Sequence, residues 1–469
     1  MTAIAIELND AGIVAAGEGS LLTTPSPGFA LLDGSDLVVG NEAWVSARLK
    51  PRRINHRFWD LLSTDSLPRP FPRSLSYADV VHAHLSAVWK AIEGESADGG
   101  EAVSVLLAVP GWYSSQQLGL LLGVARACEI PVTGMVDAAV AAAAQRGAAK
   151  RVLHLDVALH RMTWTEIENQ GELVRRRVEV VDSVGLVSLW DSWARMVADL
   201  FVRETRFDPF HHGSSEQALY DQLPQWLSLI VHHGNDIATL ESGGTQRSVE
   251  LSLEKVESVS RAKLEPVIEL GRSLASTGEP ATILVTDRVA GLPGLITKLS
   301  SIAENGLEVL PHGAAARGAL SHRERIEAPG TELTFVARLP SAAELGAVEV
   351  APPIPAVMPA NDPPQRQPTH LLYGGVAHPI TEDPFWLGLT TPVDGRGIEL
   401  MGATAGISRT HCSLYKKKGL VVIEDHSTYG TYLNGRQIKG TAEVALGDRL
   451  RLGSPGQELL LIEVKQEDG

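Results

Sequence analysis

A short hairpin near the middle of the chain carries residue types that can bind phosphate or a metal ion. Residues 151–168, RVLHLDVALHRMTWTEIE, have the pattern of two strands joined by a tight turn, Ala158–His160. Asp156 stands at the end of the first strand. Glycines in such a turn let backbone amides approach phosphates, and an acidic side chain can hold hydrated magnesium. The identity of the turn residues therefore decides whether this half of the chain can bind nucleotide phosphates.

Histidines and serines elsewhere offer other candidate sites. His82 and His84, and the pairs at 211–212 and 232–233, have the spacing of metal ligands, but no cysteines or carboxylates partner them at ligand spacing. Packed or surface histidines are the preferred interpretation, and we expect no metal and no cofactor. Ser114 and Ser115 lack the glycines that flank a nucleophilic serine. Ser114 and Gln117 have instead the spacing of a helix capping box.

The last hundred residues contain three motifs in a fixed order. They are Ser408–His411 (SRTH), residues 425–435 (DHSTYGTYLNG) and residues 446–448 (LGD). Short strands separated by turn residues surround them, a pattern typical of an antiparallel β-sandwich. Over residues 384–464 the chain resembles the forkhead-associated (FHA) domain. This resemblance implies a β-sandwich whose end loops bind phosphothreonine peptides.

The resemblance also implies a role for individual residues. Ser408 would contact the phosphate, assisted by Arg409, and Thr428 would hold the peptide. A phosphate carries close to two charges and three acceptor oxygens, so hydroxyls, amides and an arginine around it form charge-assisted hydrogen bonds. The residues expected to brace the loops and set their turns are His411, Gly430, Asn434 and Gly435.

Two positions depart from the family pattern. The family usually has an arginine directly after a glycine on an early strand, whereas here Leu389 follows Gly388. Two candidates could replace this arginine: Arg409, next to Ser408, and Arg396, which also follows a glycine and would replace it in part. Tyr429 stands where the family commonly has an asparagine that grips the peptide. Two interpretations stay open: phosphopeptide binding, and a sandwich that serves only as a docking surface.

The order of elements in the first two thirds of the chain occurs twice. Each half has strands, then helices, then strand, helix, strand and helix, without obvious sequence identity between the halves. An internal duplication of an α/β unit accounts for this order. In the first half, Ala3–Leu8, Gly12–Gly17 and Gly28–Leu32 are predicted to form an antiparallel meander.

The first 325 or so residues resemble the nucleotide-binding domain of DnaK-type heat-shock chaperones and the wider actin-like (ribonuclease-H-like) ATPase superfamily, which is also duplicated. The stretches that carry the resemblance are Ile4–Leu8, Thr24–Ser26, Leu107–Tyr113, Asp137–Ala139, Leu155–Asp156 and His312–Gly318. The resemblance implies a cleft between two lobes, with hairpins pointing into it. The nucleotide-site positions would be Glu7, Asn9, Asp156 and Asp287.

The phosphate-binding elements of that superfamily are altered here. Its first hairpin reads D-x-G-T-T and its second D-x-G-G-G-T, whereas this chain has Glu7–Ala11 (ELNDA) and Asp156–His160 (DVALH). Leu159 and His160 are predicted to place side chains where the superfamily brings glycine backbone against phosphate. The late strand ends at Asp287–Arg288, without the expected glycine pair. We therefore expect that this region does not hydrolyse ATP, while the surviving Asp156 leaves residual binding of ATP and magnesium as an open alternative.

Composition excludes several classes of protein. The 469 residues carry a net charge of −15, which argues against a general nucleic-acid binder. Cys128 and Cys412 cannot form a disulfide framework, and buried thiols in a reducing cytoplasm are the expected state. The first residues lack the basic start of a signal peptide, and the longest apolar runs are too short to span a bilayer.

These observations predict a multidomain cytoplasmic adaptor of bacterial type. Residues 1–326 would form an actin-like domain with lobes 1–150 and 151–326. Residues 327–370 would be a proline-rich linker and 371–469 the forkhead-associated domain. The expected function is non-enzymatic docking of protein partners, one of them threonine-phosphorylated, with neither nucleic acid nor membrane insertion involved. The alternative is an active ATP-dependent DnaK-like chaperone that recruits substrates or partners through its forkhead-associated domain.

Overall fold

The computed structural model describes residues 2–17, 21, 24–95, 103–145, 149–327, 333, 335–341, 368–373, 376–392, 395–400, 407–417, 420–428, 430–433, 436–438, 440–444, 449–452 and 457–462. The chain divides into two compact units, Met1–Val350 and Ala351–Gly469. The proline-rich segment 342–367 lies outside the described residues, so the structure gives no account of the predicted linker there.

The first unit mixes strands and helices. Its strands are β1 (Thr2–Glu7), β2 (Val14–Ala16), β3 (Ala30–Asp33), β4 (Asp36–Val39), β5 (Ile54–Asn55), β6 (Val103–Val109), β7 (Val132–Asp137), β8 (Arg151–Val157), β9 (Met162–Asn169), β10 (Glu172–Val181), β11 (Asn235–Ser242), β12 (Thr245–Ser252), β13 (Thr282–Val285), β14 (Leu307–Val309), β15 (Phe335–Val336) and β16 (Arg338–Pro340). Its α-helices are α1 (Asn41–Trp44), α2 (Tyr77–Glu95), α3 (Ser115–Ala127), α4 (Ala138–Ala144), α5 (Leu186–Thr205), α6 (Gly213–His233), α7 (Leu253–Ala275), α8 (Asp287–Ala290), α9 (Leu295–Ser300), α10 (Ala314–Ser321) and α11 (Arg323–Ile326). Short 3-10 helices occupy Pro51–Arg53 and Pro209–His211.

The first large sheet is built around β1. On one side β1 pairs antiparallel with β2, and on the other side it pairs parallel with β6, which is followed by β7 and β15. The apolar strand β6 is buried from its second residue onward, as expected for a parallel strand covered on both faces. Ser114 caps α3 in a capping box with Gln117, as the sequence predicted.

The second large sheet repeats this order around β8. β8 pairs antiparallel with β9 on one side and parallel with β13 on the other, and β13 pairs parallel with β14. β10 and β16 complete the sheet beyond β9. The predicted hairpin at 151–168 is confirmed, because β8 and β9 pair along their length from Arg151 opposite Glu168 to Val157 opposite Met162. The four strands β9–β8–β13–β14 thus repeat the order and directions of β2–β1–β6–β7, as the predicted duplication requires, whereas β10, β15 and β16 have no counterpart among the described strands of the other sheet.

Two alanine-rich helices, α4 and α10, connect the halves. Their alanines share one buried cluster with residues of both large sheets. A Cβ atom at Gly318 would lie 1.8 Å from the carbonyl oxygen of Ala141, so only glycine permits this approach of α10 to α4. Small residues let the helix backbones pack closely, which fixes the ends of the neighbouring strands relative to each other.

Buried tryptophans join the outer helices to the second sheet. Trp164 of β9 and Trp193 of α5 are fully buried, and their indole N–H groups donate to the α7 carbonyl oxygens of Val267 and Val256, at 3.0 and 3.1 Å. A buried indole needs such an acceptor. The hairpin β11–β12 contributes Ala238, Leu240, Val249 and Leu251 to the same hydrophobic cluster.

Two predictions about the first unit need correction, and one hairpin was missed. The segment predicted as the third meander strand, β3, does not join β1 and β2 but forms a small sheet with β4 and β5. The hairpin β11–β12 was not predicted. The predicted linker began too early, because β15 pairs with β7 and β16 pairs with β10. Backbone hydrogen bonds thus hold residues 335–340 in the sheets of the first unit.

The second unit is built from strands. They are β17 (His370–Tyr373), β18 (Val376–Pro379), β19 (Phe385–Gly388), β20 (Arg396–Glu399), β21 (Cys412–Lys417), β22 (Leu420–Asp425), β23 (Thr431–Leu433), β24 (Arg436–Gln437), β25 (Thr441–Val444), β26 (Arg449–Leu452) and β27 (Gln457–Ile462). They form two sheets, in the orders β18–β17–β27–β26–β23–β24 and β20–β19–β21–β22–β25. Both sheets contribute to one hydrophobic core, as the sequence predicted. The pair β19–β20 is parallel, whereas an antiparallel arrangement was expected.

In the part of the chain that the structure describes, no helix has the length and apolar character needed to cross a membrane.

Candidate functional site

Two loops at one end of the second unit bring together the residues predicted to bind phosphate. Residues 408–411 lead into β21, and residues 426–430 connect β22 to β23. The backbone N–H of Thr428 donates to Ser408 Oγ at 3.0 Å. Thr428 is exposed and Ser408 is half-buried. Because Ser408 Oγ accepts this bond, its own hydroxyl proton can be donated to a ligand.

The side chain of His411 forms hydrogen bonds with both loops. Its Nδ1 accepts a 3.0 Å hydrogen bond from the backbone N–H of Ser408, so its Nε2 carries the proton and donates to Gly430 O at 3.1 Å. Burial lowers the pKa of His411, which keeps the ring neutral at neutral pH. The predicted bracing residue therefore contacts both loops.

Asp425 and Ser427 stabilise the second loop. Asp425 accepts hydrogen bonds from the Ser427 N–H at 3.1 Å and the Thr431 hydroxyl at 2.6 Å, and Ser427 Oγ accepts from the Gly430 N–H at 2.7 Å. Burial would raise the pKa of Asp425, but these bonds outweigh burial and lower it. Gly430 has a φ of 85°, which favours glycine. The motif predicted this glycine but not the roles of Asp425 and Ser427.

These loops lie in a stretch with a known sequence family. Residues 396–453 match the family model of the FHA domain. FHA domains are protein-interaction modules that bind phosphorylated partners. The prediction of an FHA domain in the C-terminal part of the chain is thereby confirmed. The comparison of the chain with curated proteins found no match.

The end of β19 approaches the Ser408 loop of the FHA domain closely. A Cβ atom at Gly388 would lie 2.0 Å from Arg409 O, and the Leu389 N–H donates to Ser408 O at 3.2 Å. The side chain of Leu389 packs partly buried against the hydrophobic core. Leu389, which follows Gly388 where an arginine was expected, thus serves the core. Arg409 is exposed next to Ser408.

Arg396 lies away from this end of the FHA domain. It pairs with Phe385, whereas Glu399 pairs with Gly388, so Arg396 is three residues, roughly 10 Å, along the strand from the Gly388 end. Its guanidinium donates to Thr381 Oγ1 at 2.9 Å and to Pro379 O at 3.3 Å. The predicted site residues Tyr429, Asn434 and Gly435 lie outside the described residues.

In the first unit, the two hairpin turns contact each other directly. Asn9 donates from Nδ2 to Asp156 Oδ2 at 2.9 Å and to Val157 O at 3.1 Å. In return, the Leu159 N–H donates to Asp10 Oδ1 at 2.7 Å. Burial raises the pKa of Asp10 to about 7, although the Leu159 hydrogen bond opposes this shift. The structure thus places the predicted residues Asn9 and Asp156 in contact across the cleft.

The side chains of Leu159 and His160, in the turn of the second hairpin, do not lie where the sequence predicted them. Leu159 is fully buried in the core of the second half rather than pointing into the cleft. His160 stacks on His56, with ring centroids 4.9 Å apart, and its Nε2 lies 2.8 Å from His56 O. The backbone of the turn, rather than its side chains, therefore faces the first hairpin.

Arg288, which the sequence analysis did not assign to the site, lies between two of the predicted carboxylates. Its Nη2 lies 2.7 Å from Glu7 Oε1 and 3.1 Å from Asp156 Oδ2. Burial would lower the pKa of Arg288, but Asp156 and Glu7 outweigh burial and raise it. Burial likewise would raise the pKa of Asp156, and Arg288 reverses this effect and lowers it. The missed signal was an arginine in α8, three residues after β13 ends, in the stretch where a glycine pair was expected.

Asp287, the fourth predicted position, is not part of this group. Its Oδ2 lies 2.7 Å from His312 Nδ1, and both side chains are about one third exposed. Within the described ranges, no group of three or more histidine, cysteine or acidic residues is placed to hold a metal ion. His84, one of the metal candidates, is fully buried, accepts from the Trp59 indole at 2.9 Å and contacts Ser26 Oγ at 2.8 Å.

Proposed function

We propose that the chain is a non-enzymatic adaptor whose FHA domain binds a phosphothreonine-containing segment of a protein partner. The observation that carries the proposal is the hydrogen bond between the Ser408 and Thr428 loops, together with the hydrogen bonds that His411 forms with both loops. This contact places one hydroxyl donor, one exposed threonine and one exposed arginine at the same end of the domain. The partner's phosphate would accept hydrogen bonds from Ser408 Oγ and Arg409, and Thr428 would contact the peptide beside it.

Arg409 is the proposed phosphate-binding cation. The family's usual arginine position holds Leu389, and the guanidinium of Arg396 is engaged with Thr381 and Pro379 at the other end of β19. A guanidinium at the position of Arg396 would be separated from the phosphate by solvent, and screening by dissolved ions would weaken the attraction between the two groups. Arg409 and Arg396 therefore make a matched pair of variants.

The test is the affinity of the full chain for phosphothreonine peptides selected from a library. Ser408→Ala is expected to weaken binding by about 1.5–3 kcal/mol, as for a lost hydrogen bond to a charged group. Arg409→Ala should weaken binding as well, whereas Arg396→Ala should leave it nearly unchanged. A library in which no phosphopeptide binds more tightly than its unphosphorylated counterpart would refute the proposal and favour the docking-surface interpretation.

We further propose that the first unit has a degenerate actin-like fold that docks a partner and does not hydrolyse ATP. The strand order shared by the two large sheets supports the fold. The direct contacts between the hairpin turns support the loss of hydrolysis, because side chains and amides that would approach phosphate and magnesium in the superfamily bond to each other here. Phosphoryl transfer depends on positioned charges and amides around the phosphate. The competing function is the active DnaK-like chaperone.

Steady-state phosphate release with magnesium and ATP distinguishes these functions. We expect no turnover above that of Asp156→Ala, which removes the remaining acid of the second hairpin. Turnover in the natural chain that Asp156→Ala abolishes would establish the chaperone alternative.

A further inference from the structure

The buried charges of the first unit form a bridge between its two halves. Glu7 belongs to the first half, and Asp156 and Arg288 belong to the second; we call these three residues the arginine bridge. The side chains of Glu7 and Arg288 are only 6% and 11% exposed. A charge this deeply buried requires a partner, because solvation no longer stabilises it.

Protein donors satisfy all four carboxylate oxygens of the arginine bridge. Arg288 contacts Glu7 Oε1, and the Ala315 N–H at the start of α10 donates to Glu7 Oε2 at 3.1 Å. Asp156 Oδ1 accepts from the Thr286 hydroxyl at 2.7 Å, and Asp156 Oδ2 accepts from Asn9 at 2.9 Å. The two carboxylates are thus compensated by the protein's own donors, with no need for a metal ion.

The guanidinium itself is positioned by charge. Its Nε and Nη2 atoms both approach Asp156, at 3.1 to 3.3 Å, whereas the buried Nη1 has no hydrogen-bond partner among the described residues. The two carboxylates thus determine the place of Arg288. Without the arginine, the buried Glu7 carboxylate and the half-buried Asp156 carboxylate, which come from opposite halves, would have no cation between them, and their like charges would repel each other.

We propose that Arg288 is an internal cation that takes the position of a divalent metal between Glu7 and Asp156 and holds the two halves of the first unit together without any ligand. A contact between the two halves that needs no nucleotide suits a docking surface, because the shape of that surface then does not depend on bound small molecules. The inference rests on the proposal that the first unit does not hydrolyse ATP, but its test measures metal binding and stability. A failure of one proposal can therefore be told apart from a failure of the other.

The decisive variant is Arg288→Gln, which removes the charge and keeps most of the volume. In metal-free buffer, its melting temperature should fall by about 5–10 °C, as expected for a buried carboxylate pair that has lost its cation. Millimolar Mg²⁺ or Ca²⁺ should restore at least half of this loss, because Glu7 Oε1 and Asp156 Oδ2 lose the arginine and hard divalent cations prefer carboxylate oxygens as ligands. The natural chain should show no such shift.

Three controls make the result specific. Arg272→Gln removes an exposed arginine that pairs with Glu269 on α7, and should change neither the melting temperature nor the metal response. The double variant Glu7→Gln/Arg288→Gln should lose the metal response. Arg288→Lys keeps the charge, so it should fold without responding to metal, and it provides the test if Arg288→Gln does not fold.

Either of two results would overturn the inference. One is an equal metal-dependent shift in the natural chain or in Arg288→Lys. The other is a folded Arg288→Gln protein in which neither cation changes the melting temperature.

Discussion

Buried histidines make the first unit sensitive to acid at the scale of single residues. His84 lies on α2, fully buried between the Trp59 indole and the Ser26 hydroxyl. Burial lowers its pKa from 6.5 to about 3, and burial likewise lowers the pKa of His56 to about 4. Since the folded-state values lie below the unfolded value, the unfolded chain binds more protons as the pH falls through this window.

His84 should therefore stabilise the fold fully above about pH 6.5, and its contribution should be lost as the pH falls toward 3. By pH 5 the loss is about 2 kcal/mol for this residue alone. Thermal unfolding of the first unit at pH 7.5 and pH 5 measures it. His84→Gln should reduce the pH dependence, whereas His82→Gln, at an exposed position on the same helix, should leave it unchanged. An equal pH dependence in His84→Gln would contradict this assignment.

Local motifs predicted some site residues, and tertiary contacts determined the others. Ser408, His411 and Gly430 were predicted because they match the FHA family pattern, and the structure brings them together. Arg288 is 281 positions from Glu7, and no local pattern links the two. Arg396 was a candidate for the missing phosphate-binding arginine because it follows a glycine. Only the parallel register of β19 and β20 places it opposite Phe385 and away from the Ser408 loop.

At the scale of secondary-structure elements, helices α4 and α10 pack so closely at Gly318 that a side chain there should destabilise their contact. A Cβ at Gly318 would overlap the Ala141 carbonyl oxygen, which belongs to helix backbone and cannot move aside as a flexible side chain can. Gly318→Ala should therefore lower the free energy of unfolding of the first unit by about 1–3 kcal/mol, as measured by urea denaturation.

Gly119→Ala on α3 is the matched control. Nothing lies within 4 Å of the Cβ it would add, so the higher helix propensity of alanine should stabilise the protein by about 0.5–1 kcal/mol. A Gly318→Ala protein as stable as the natural chain would show that the two helices are less tightly packed than the structure indicates.

Periodic elements were predicted well, and elements whose pairing depends on distant strands were not. The buried strand β6 and the hairpin β8–β9 carry clear apolar patterns, and both occur where expected. β11–β12 alternates polar and apolar residues but lies between two long helices, and it was overlooked. β15 and β16 are two and three residues long, so only their hydrogen bonds to β7 and β10 define them as strands.

At the scale of the whole molecule, the hydrophobic clusters divide between the two units. Three clusters contain residues of the first unit only, and the fourth contains residues of the second unit only. The change in composition near residue 340 and the FHA motifs predicted this division from the sequence. The end of the first unit was harder to place, because residues 335–340 carry no periodic pattern.

Separate hydrophobic cores predict that each unit folds without the other. Limited proteolysis of the full chain should first cut between Ser341 and Pro368. This segment follows the last described strand of the first unit and precedes the first described strand of the second, and seven of the eighteen residues from Ala351 to Pro368 are prolines. The expected products are a fragment of roughly 340 residues and one of roughly a hundred, and the smaller one should keep its phosphopeptide affinity. Each fragment should melt at nearly the temperature of the same unit in the full chain, since each unit has hydrophobic clusters of its own. First cleavage inside either unit, or a large drop in the melting temperature of the FHA fragment, would show that the units stabilise each other.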